Sequence, residues 1–274
     1  MAANIYRSYI EGATLPPYHG TQCYWIGDGS EMILVDCADG SPLACEQLEK
    51  AWLALQEPPI RGVFATHYHF DHCGGGDWAA QRWKAPLYLH PRDIALIAKD
   101  GAQSAWRPFP HAQMLVGTAM VRIIEAPGHT PGQVNFWVPQ AGVLLAGDNI
   151  LGNSTSVVAP PDGDLGDYLQ TLTRLRELKP RVIGPGHGQV VRDPDSYIAY
   201  YIHHRQQRTG EILAVLRLTG PMTAMAITAE VYRGVLDEGQ LWMGERMVMG
   251  HLVWLARQGL VVEEDGRYRG KADD

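Results

Sequence analysis

The chain has 274 residues, enough for one large domain or for a domain of roughly 200 residues with a small appendage. Apolar residues make up 46% and charged residues 19%, an ordinary balance for a globular protein with a substantial core. The formal net charge of −7 provides no overall attraction to nucleic acid or to an anionic membrane surface, so neither partner is expected.

The sequence predicts a cytoplasmic protein without a membrane segment. Its N-terminus lacks the basic region and apolar run of a signal peptide, and no apolar run approaches about 18 residues. The 4 cysteines contain no CxxC pair and do not form a disulfide framework in a chain of this length, so reduced thiols are expected.

Short strands and helices alternate in the first third of the chain. Apolar runs at 23–26 and 32–37 predict a β-hairpin, because the intervening Gly27-Asp-Gly-Ser supplies a tight turn. A helix is predicted at 43–55. A buried strand at 61–66 ends directly at a histidine-rich loop, and a strand at 86–90 leads into a helix at 93–99.

The middle of the chain repeats this scheme. Strands are predicted at 120–125, 134–138 and 143–146, followed by a helix at 165–178 and a strand at 181–184. Three strands, ending near Thr66, Ala146 and Gly184, each deliver a histidine or an aspartate just beyond the strand end. Such strand ends present a site on loops held by a rigid scaffold, which indicates a layered α/β sandwich.

The last part of the chain is helical. Helices at 197–218, 223–232 and 245–258 precede a hairpin around Asp265-Gly, an order typical of a winged helix. We therefore divide the chain into a catalytic domain (1–195) and a winged-helix-like domain (196–274). From Arg205 onward 9 basic residues face 10 acidic ones, whereas a winged helix that binds nucleic acid is expected to be basic. A lid or a dimerisation element is the favoured role.

The strongest chemical signal is the run HYHFDH at 67–72, which places four potential metal ligands within six residues. In an extended loop His67 and His69 point the same way, and Asp71 and His72 can turn toward a second position. Neutral imidazoles and carboxylates suit zinc and its first-row neighbours. The glycines at 74–76 let the backbone pass tightly beneath the site into a helix.

Three further motifs each hold one potential ligand. His129 lies in APGHTPG, Asp148 in AGDN at a strand end, and His187 in GPGHG. Glycine and proline make these turns stiff, which suits a ligand set that is held in place before the metal binds.

The ordered motifs HxHxDH, GHT, GD and GHG resemble the metallo-β-lactamase superfamily, from the first hairpin to about Gly188. The resemblance implies an αββα sandwich and a hydrolase with two divalent metals, zinc foremost and iron or manganese as alternatives. The metals would share a hydroxide, and Asp71 is a candidate proton acceptor. By the same resemblance, one metal is held by His67, His69 and His129, and the other by Asp71, His72 and His187, with Asp148 bridging.

Other residues narrow the resemblance. Asp148 stands where the lactam-cleaving enzymes with a cysteine ligand carry that cysteine, so the chain is closer to the thioesterase, lactonase, phosphodiesterase and nuclease branches. DNILG at 148–152, DYL at 167–169 and HHR at 203–205 resemble the β-lactamase-like protein 2 subgroup, which shares a C-terminal winged helix. That subgroup includes an endoribonuclease for single-stranded RNA and fungal thioesterases. Cys73 and the remaining six histidines are expected to be structural.

Four functions compete. The leading one is hydrolysis of a small or carrier-bound ester, thioester or lactone; the alternative is an endoribonuclease or phosphodiesterase acting on single-stranded RNA, which the same ligands would serve. The overall acidity favours the ester. A redox protein of the diiron flavoprotein type would need a further, flavin-binding domain. A regulatory protein would bind its partner through the winged helix. A homodimer is a further option.

The substrate pocket is predicted from two loops, 102–114 and 152–166. Trp106 and Phe109 in the first loop are candidates for an apolar wall near its mouth.

Overall fold

The computed structural model describes residues 4–99 and 105–271, and two β-sheets form the centre of that part of the chain. The first sheet has six strands, hydrogen-bonded in chain order: β1 (Asn4–Glu11), β2 (Gly20–Gly27), β3 (Met32–Val35), β4 (Ile60–Phe64), β5 (Leu87–Tyr88) and β6 (Trp106–Arg107). The second has five, in the spatial order β11 (Val182–Pro185), β10 (Val143–Gly147), β9 (Val134–Val138), β8 (Ala119–Glu125) and β7 (Gln113–Val116).

Both sheets are mixed. In the first, β1, β2 and β3 pair antiparallel, and β3 to β6 pair parallel. In the second, β10 and β11 are parallel and the other pairs are antiparallel. The helices between strands are α1 (Pro42–Ala54), α2 (Phe70–Cys73), α3 (Gly76–Trp83), α4 (Pro91–Lys99) and α5 (Leu165–Glu177).

Alternation along β2 shows how the layers are built. Successive side chains of a strand point to opposite faces, and every residue of β2 is buried. Tyr24 and Ile26 pack into the core between the two sheets, whereas Cys23 and Trp25 pack into the core that α1 and α3 cover. A strand buried on both faces is typical of a sheet covered by another sheet and by helices.

A third core lies on the outer face of the second sheet. Leu144 and Ile183 of that sheet pack there against Tyr168 and Leu172 of α5. The layers therefore follow the order helix, sheet, sheet, helix, which confirms the predicted αββα sandwich.

The C-terminal part contains α6 (Pro194–Thr219), α7 (Ala224–Val231), α8 (Leu241–Arg257) and the hairpin of β12 (Val261–Glu264) and β13 (Arg267–Gly270), in the predicted order. The long helix α6 belongs to two cores. Tyr201 packs with α5 in the core of the sandwich, whereas Ile212 and Leu216 pack with α7 and α8 in a separate core. The C-terminal helices are thus continuous with the sandwich through α6.

Several element bounds differ from the predicted ones. Helix α6 begins before position 197, because Asp193 caps it and Pro194 suits its first turn. Strands β1 and β7 were not predicted; both are partly exposed, so neither shows a long apolar run. No described helix is long and apolar enough to cross a membrane. All four cysteines are free thiols, as predicted.

Candidate metal centre

The seven predicted ligands come together at one end of the sandwich. The loop after β4 carries His67, His69, Asp71 and His72. The turn between β8 and β9 carries His129, and Asp148 and His187 follow the ends of β10 and β11. Because the strand ends meet at one edge of the two sheets, residues far apart in sequence converge there.

One cluster joins three histidines. Nδ1 of His69 lies 3.0 Å from Nε2 of His67 and 3.0 Å from Nε2 of His129. His67 and His129 are buried, whereas His69 is partly exposed. These three nitrogen atoms have the spacing of a metal-binding group.

A second cluster lies beside the first. The Nε2 atoms of His72 and His187 are 3.0 Å apart, and Oδ2 of Asp71 lies 3.3 Å from Nε2 of His187. Asp71 and His72 occupy the short helix α2, which begins directly after His69. Asp71, His72 and His187 thus form a second possible metal-binding group, and His72 also forms one with His67 and Asp148.

Asp148 lies between the clusters. Its Oδ1 is 3.3 Å from Nε2 of His72, and its Oδ2 is 3.5 Å from Nε2 of His187 and 3.9 Å from Nε2 of His129. Its Oδ1 is buried and accepts no hydrogen bond from the described residues. The carboxylate therefore reaches both clusters and has an oxygen available for a further ligand.

Hydrogen bonds to the ring nitrogens that face away from the centre select one neutral tautomer for each of two histidines. Nδ1 of His187 lies 2.8 Å from the carbonyl oxygen of Gly20, and Nδ1 of His129 lies 2.7 Å from that of Val157. A carbonyl oxygen can only accept, so Nδ1 must donate and Nε2 keeps its lone pair when the ring is neutral. Both lone pairs point into the centre.

A buried carboxylate, Asp36, orients two more ligands. Its Oδ2 accepts from Nδ1 of His72 (2.8 Å) and from the hydroxyl of Thr66 (3.0 Å). The Thr66 hydroxyl donates to Asp36, so it accepts from Nδ1 of His67, 3.0 Å away. Asp36 was missed by the sequence analysis, although it follows the apolar strand β3 just as Asp148 follows β10.

The donor set fits divalent metal ions. Burial lowers the pKa of His67 well below its usual value and, with His69 nearby, that of His129 to about 4, so both rings are neutral as ligation requires. Burial alone would raise the pKa of Asp148, but His187 and His72 hold it well below the usual range. Burial alone would lower the pKa of His72 and of His187, but the charge of Asp148 raises the former well above its usual value and the latter to about 9, so a metal ion that binds there replaces protons.

Glycines allow the close approach on which the site depends. A Cβ atom on Gly75 would lie 2.1 Å from the carbonyl oxygen of Cys37, and one on Gly186 would lie 2.3 Å from Oδ1 of Asp148. Gly75 lets the backbone pass directly against Cys37, just beyond the end of β3, where it enters α3, in keeping with the predicted tight passage into a helix. Gly186 leaves room for Asp148 between the clusters.

A second buried carboxylate, Asp93 of α4, ties two ligand loops together. It accepts from the backbone N–H of Tyr68 (3.0 Å), from the hydroxyl of Thr130 (2.8 Å) and from the backbone N–H of Gly132 (2.7 Å). Tyr68 lies between His67 and His69 in sequence, and Thr130 follows His129. Asp93 was not predicted, because only the tertiary structure brings α4 to these loops.

A pocket of about 470 Å³ opens onto the clusters. Five of the predicted ligands line it, together with the 13–18 segment, the loop at 151–162 and the start of α8. The predicted contribution of the 152–166 loop is confirmed. Tyr18, which was missed, stacks on the ring of His187 with centroids 5.2 Å apart.

The proposed apolar wall of Trp106 and Phe109 is wrong. Phe109 stacks on Phe64 in the core between the sheets, with centroids 6.2 Å apart, and Trp106 packs over Gly76. Aromatic residues in a loop suit a core as well as a pocket, and here the core takes them. Positions 102–104 of that loop lie outside the described residues.

The other candidates lie outside the metal clusters. Cys73 is buried, and its thiol donates to the carbonyl oxygen of Tyr68 (3.0 Å). None of the remaining histidines joins a metal-binding group among the described residues; these are His19, His90, His111, His203, His204 and His251.

Comparison with known proteins identifies the family. Residues 17–187 match the model of the metallo-β-lactamase superfamily. The chain belongs to the metallo-β-lactamase superfamily. It is therefore a hydrolase of that superfamily, and its histidine and aspartate clusters fit a metal site.

Relatives of this metallo-β-lactamase-fold chain extend over most of its length. The β-lactamase-like protein 2 homologue of Caenorhabditis elegans is 33% identical over 78% of the chain and 71% of its own length. The homologue of Drosophila melanogaster is 33% identical over 88% and 83%. A metallo-β-lactamase family protein of Thermus thermophilus has the same fold over 97% of this chain and 98% of its own, with a TM-score of 0.81 and 23% identity.

Proposed function

We propose that this superfamily hydrolase cleaves a small or carrier-bound ester, thioester or lactone. The observation that carries the proposal is the pocket over the metal clusters, whose mouth exposes large apolar side chains: Leu15, Phe70 and Trp242. Burying apolar area releases about 25 cal/mol per Å², so such a mouth favours an acyl group of limited charge.

The chemistry rests on two divalent metal ions, which we propose are held by His67, His69 and His129, and by Asp71, His72 and His187, with Asp148 shared. When bound, such ions polarise a carbonyl group and lower the pKa of water enough to supply a nucleophile near neutral pH. Zinc is our first choice, and the donor types accept iron or manganese as well.

Asp71 is our candidate for the residue that accepts a proton during attack on the carbonyl carbon. Its Oδ2 accepts from the hydroxyl of Thr14 (2.5 Å) and lies at the wall of the pocket. Thr14 thus holds the carboxylate in one orientation. A carboxylate fixed in this way can take a proton without reorganising.

Asp162 supports the other side of the centre. Its Oδ2 lies 3.7 Å from Nε2 of His69, the one candidate histidine ligand whose side chain is substantially exposed. The carboxylate favours a proton on Nε2 and leaves Nδ1 of His69 free to face His67 and His129. We propose that Asp162 positions His69.

Cleavage of single-stranded RNA is the second candidate, because the same ligands could serve it. The pocket wall carries three carboxylates, Asp71, Asp148 and Asp162, and one arginine, Arg246. A groove for a polyanion needs basic and aromatic contacts along its length. The mainly acidic wall therefore favours an ester substrate over RNA.

We further propose that 196–274 form a winged-helix-like domain that acts as a wall or lid on a catalytic domain of 1–195. Helix α8 supports this role, since Trp242, Met243 and Arg246 line the pocket. Dimerisation through this domain and a cytoplasmic location are part of the same proposal.

Kinetics on one metal-reconstituted preparation test the proposed reaction. Thioesters, lactones, carboxylic esters, bis(p-nitrophenyl) phosphate and single-stranded RNA would be compared by kcat/KM. We expect the carboxylic substrates to lead, with activity lost in His69→Ala and retained in His203→Ala, a matched change of an exposed histidine. Efficient RNA cleavage that His69→Ala abolishes, without ester cleavage, would replace the ester with RNA as substrate.

A further inference from the structure

One face of α8 is turned toward the pocket. Trp242 and Arg246 are four residues apart on this helix, and Met243 lies between them on the same side. Val248, Leu252 and Leu255 are buried on the other side, in the core of the C-terminal helices. The helix therefore presents a mixed apolar and basic face to the substrate.

The position of this face is fixed by close packing. A Cβ atom on Gly250 would lie 2.3 Å from the carbonyl oxygen of Val158, so α8 touches the 151–162 loop backbone to backbone. Arg257 forms an ion pair with Asp164 farther along the helix. These contacts hold α8 against the loop that forms the adjoining wall of the pocket.

Arg246 is the one lysine or arginine among the described residues that line the pocket. No carboxylate of the described part of the chain lies within ion-pair distance of it. The guanidinium donates a long hydrogen bond, 3.5 Å, to the carbonyl oxygen of Pro160. A guanidinium has five N–H donors in a planar fork that matches carboxylate and phosphate oxygens. Most of these donors are therefore available to a ligand.

The surroundings of Arg246 are apolar at the mouth and acidic at the floor. Leu15, Phe70 and Trp242 are 54%, 64% and 51% exposed and form what we call the apolar rim. The carboxylates of Asp71 and Asp148 lie with the metal clusters at the floor, and Asp162 lines the pocket as well. Its hydrogen bond with His69 and, more weakly, the charge of Arg246 lower the pKa of Asp162, so this carboxylate lies beyond ion-pair distance of the guanidinium but within its field. A ligand that spans the pocket thus meets an apolar rim and one cation near the mouth, and the reacting centre below.

We propose that Arg246 binds an anionic group of the substrate, and that the preferred substrate is an ester or thioester with an apolar body and one carboxylate or phosphate. This inference rests on the proposed function. The anion could belong to the acyl part, as a terminal carboxylate, or to the alcohol or thiol part, as a phosphate. The recognition chemistry is the same for both: anionic oxygens on a guanidinium.

Matched substrates test the proposal. One pair of p-nitrophenyl esters has an acyl chain that ends in a carboxylate or in its methyl ester. A second pair consists of thioesters whose thiol part ends in a phosphate or in a hydroxyl. The readout is the ratio of kcat/KM for the charged member to that for the neutral member, which does not depend on how much of a preparation is active.

Arg246→Ala should lower this ratio about tenfold in at least one pair, the usual loss for one charge-assisted hydrogen bond at a partly exposed site. Arg246→Lys should restore part of it, and Arg246→Glu should lower it below the alanine value. Arg233→Ala, which removes an exposed arginine away from the pocket, should leave the ratio unchanged. The pair that responds identifies the anion. An Arg246→Ala ratio equal to that of wild type in both pairs would overturn the proposal.

Binding separates this proposal from the proposed function. Calorimetry with metal-reconstituted protein would compare 4-phenylbutyrate and 3-phenylpropyl phosphate with the neutral 4-phenylbutyramide. If no ester is cleaved but at least one anion binds wild type about tenfold more tightly than Arg246→Ala, the anion site stands and the ester reaction fails. If both anions bind the two proteins equally, the anion site fails, whatever the activity.

Discussion

Replacing Asp93 by alanine tests whether this buried carboxylate holds two ligand loops in place. Asp93 is fully buried and accepts from Tyr68 and Gly132 backbone N–H groups and from the Thr130 hydroxyl, at 2.7 to 3.0 Å. Burial raises the pKa of Asp93 to about 6, so at pH 8 the group is ionised and accepts all three hydrogen bonds.

The cost follows from these contacts. Alanine leaves two backbone N–H groups buried without an acceptor, at about 1–3 kcal/mol each, while the Thr130 hydroxyl can rotate to another partner. We therefore expect Asp93→Ala to lower the free energy of unfolding by about 3–5 kcal/mol, a large share of the usual 5–15 kcal/mol. Asparagine keeps one acceptor oxygen, so Asp93→Asn should lose less.

Urea denaturation of the metal-free protein at pH 8 measures this loss, and metal titration measures its effect on the site. Both variants should also bind metal more weakly, since His67, His69 and His129 lie on the loops that are released. Asp77→Ala, a change of an exposed aspartate in α3, is the control and should shift stability by less than about 1 kcal/mol. An Asp93→Ala protein with the stability and metal affinity of wild type would refute the reasoning.

Three further predictions concern the site and the C-terminal part. Asp148→Ala should lower the metal content and abolish hydrolysis while the circular dichroism spectrum stays native; an active variant with full metal content would contradict this. Burial and, to a smaller extent, the charge of Arg205 lower the pKa of His251 to about 3. Near pH 6.5 the His251 ring therefore takes up a proton only in the unfolded chain. Stability should therefore fall as pH drops from about 6.5 toward 4, by at most about 1.4 kcal/mol per unit, and urea denaturation should show His251→Gln with a smaller slope. Duplex DNA should bind weakly in fluorescence anisotropy, without steep salt dependence. Nanomolar binding at physiological salt would instead make the C-terminal domain a DNA-binding module.

The predictable part of the site is the part that local sequence encodes. Each of Asp148, His187 and the HYHFDH loop closely follows an apolar strand, and His129 lies in a turn of glycine and proline. These local patterns reveal a candidate ligand before its partners are known. Asp36 carries the same signal at the end of β3 and could have been found in the same way.

The missed residues depend on tertiary packing. Asp93 lies in a helix whose sequence gives no sign of the loops that it contacts, and Arg246 reaches the pocket only because α8 packs on the 151–162 loop. The prediction that Phe109 forms a wall of the pocket was wrong for the same reason, because only the tertiary structure shows that it packs in the core. An aromatic side chain satisfies a core and a pocket equally well, and the sequence holds no information on which one is nearer.

The metal content of the purified, reconstituted protein tests the central claim most directly. Elemental analysis by mass spectrometry, with protein quantified by amino-acid analysis, should give close to two transition-metal ions per chain in wild type. His67→Ala and His187→Ala, one from each cluster, should each give a lower value, and His203→Ala should match wild type. A wild-type chain that holds no metal after purification and takes up none on reconstitution would contradict the two-metal site.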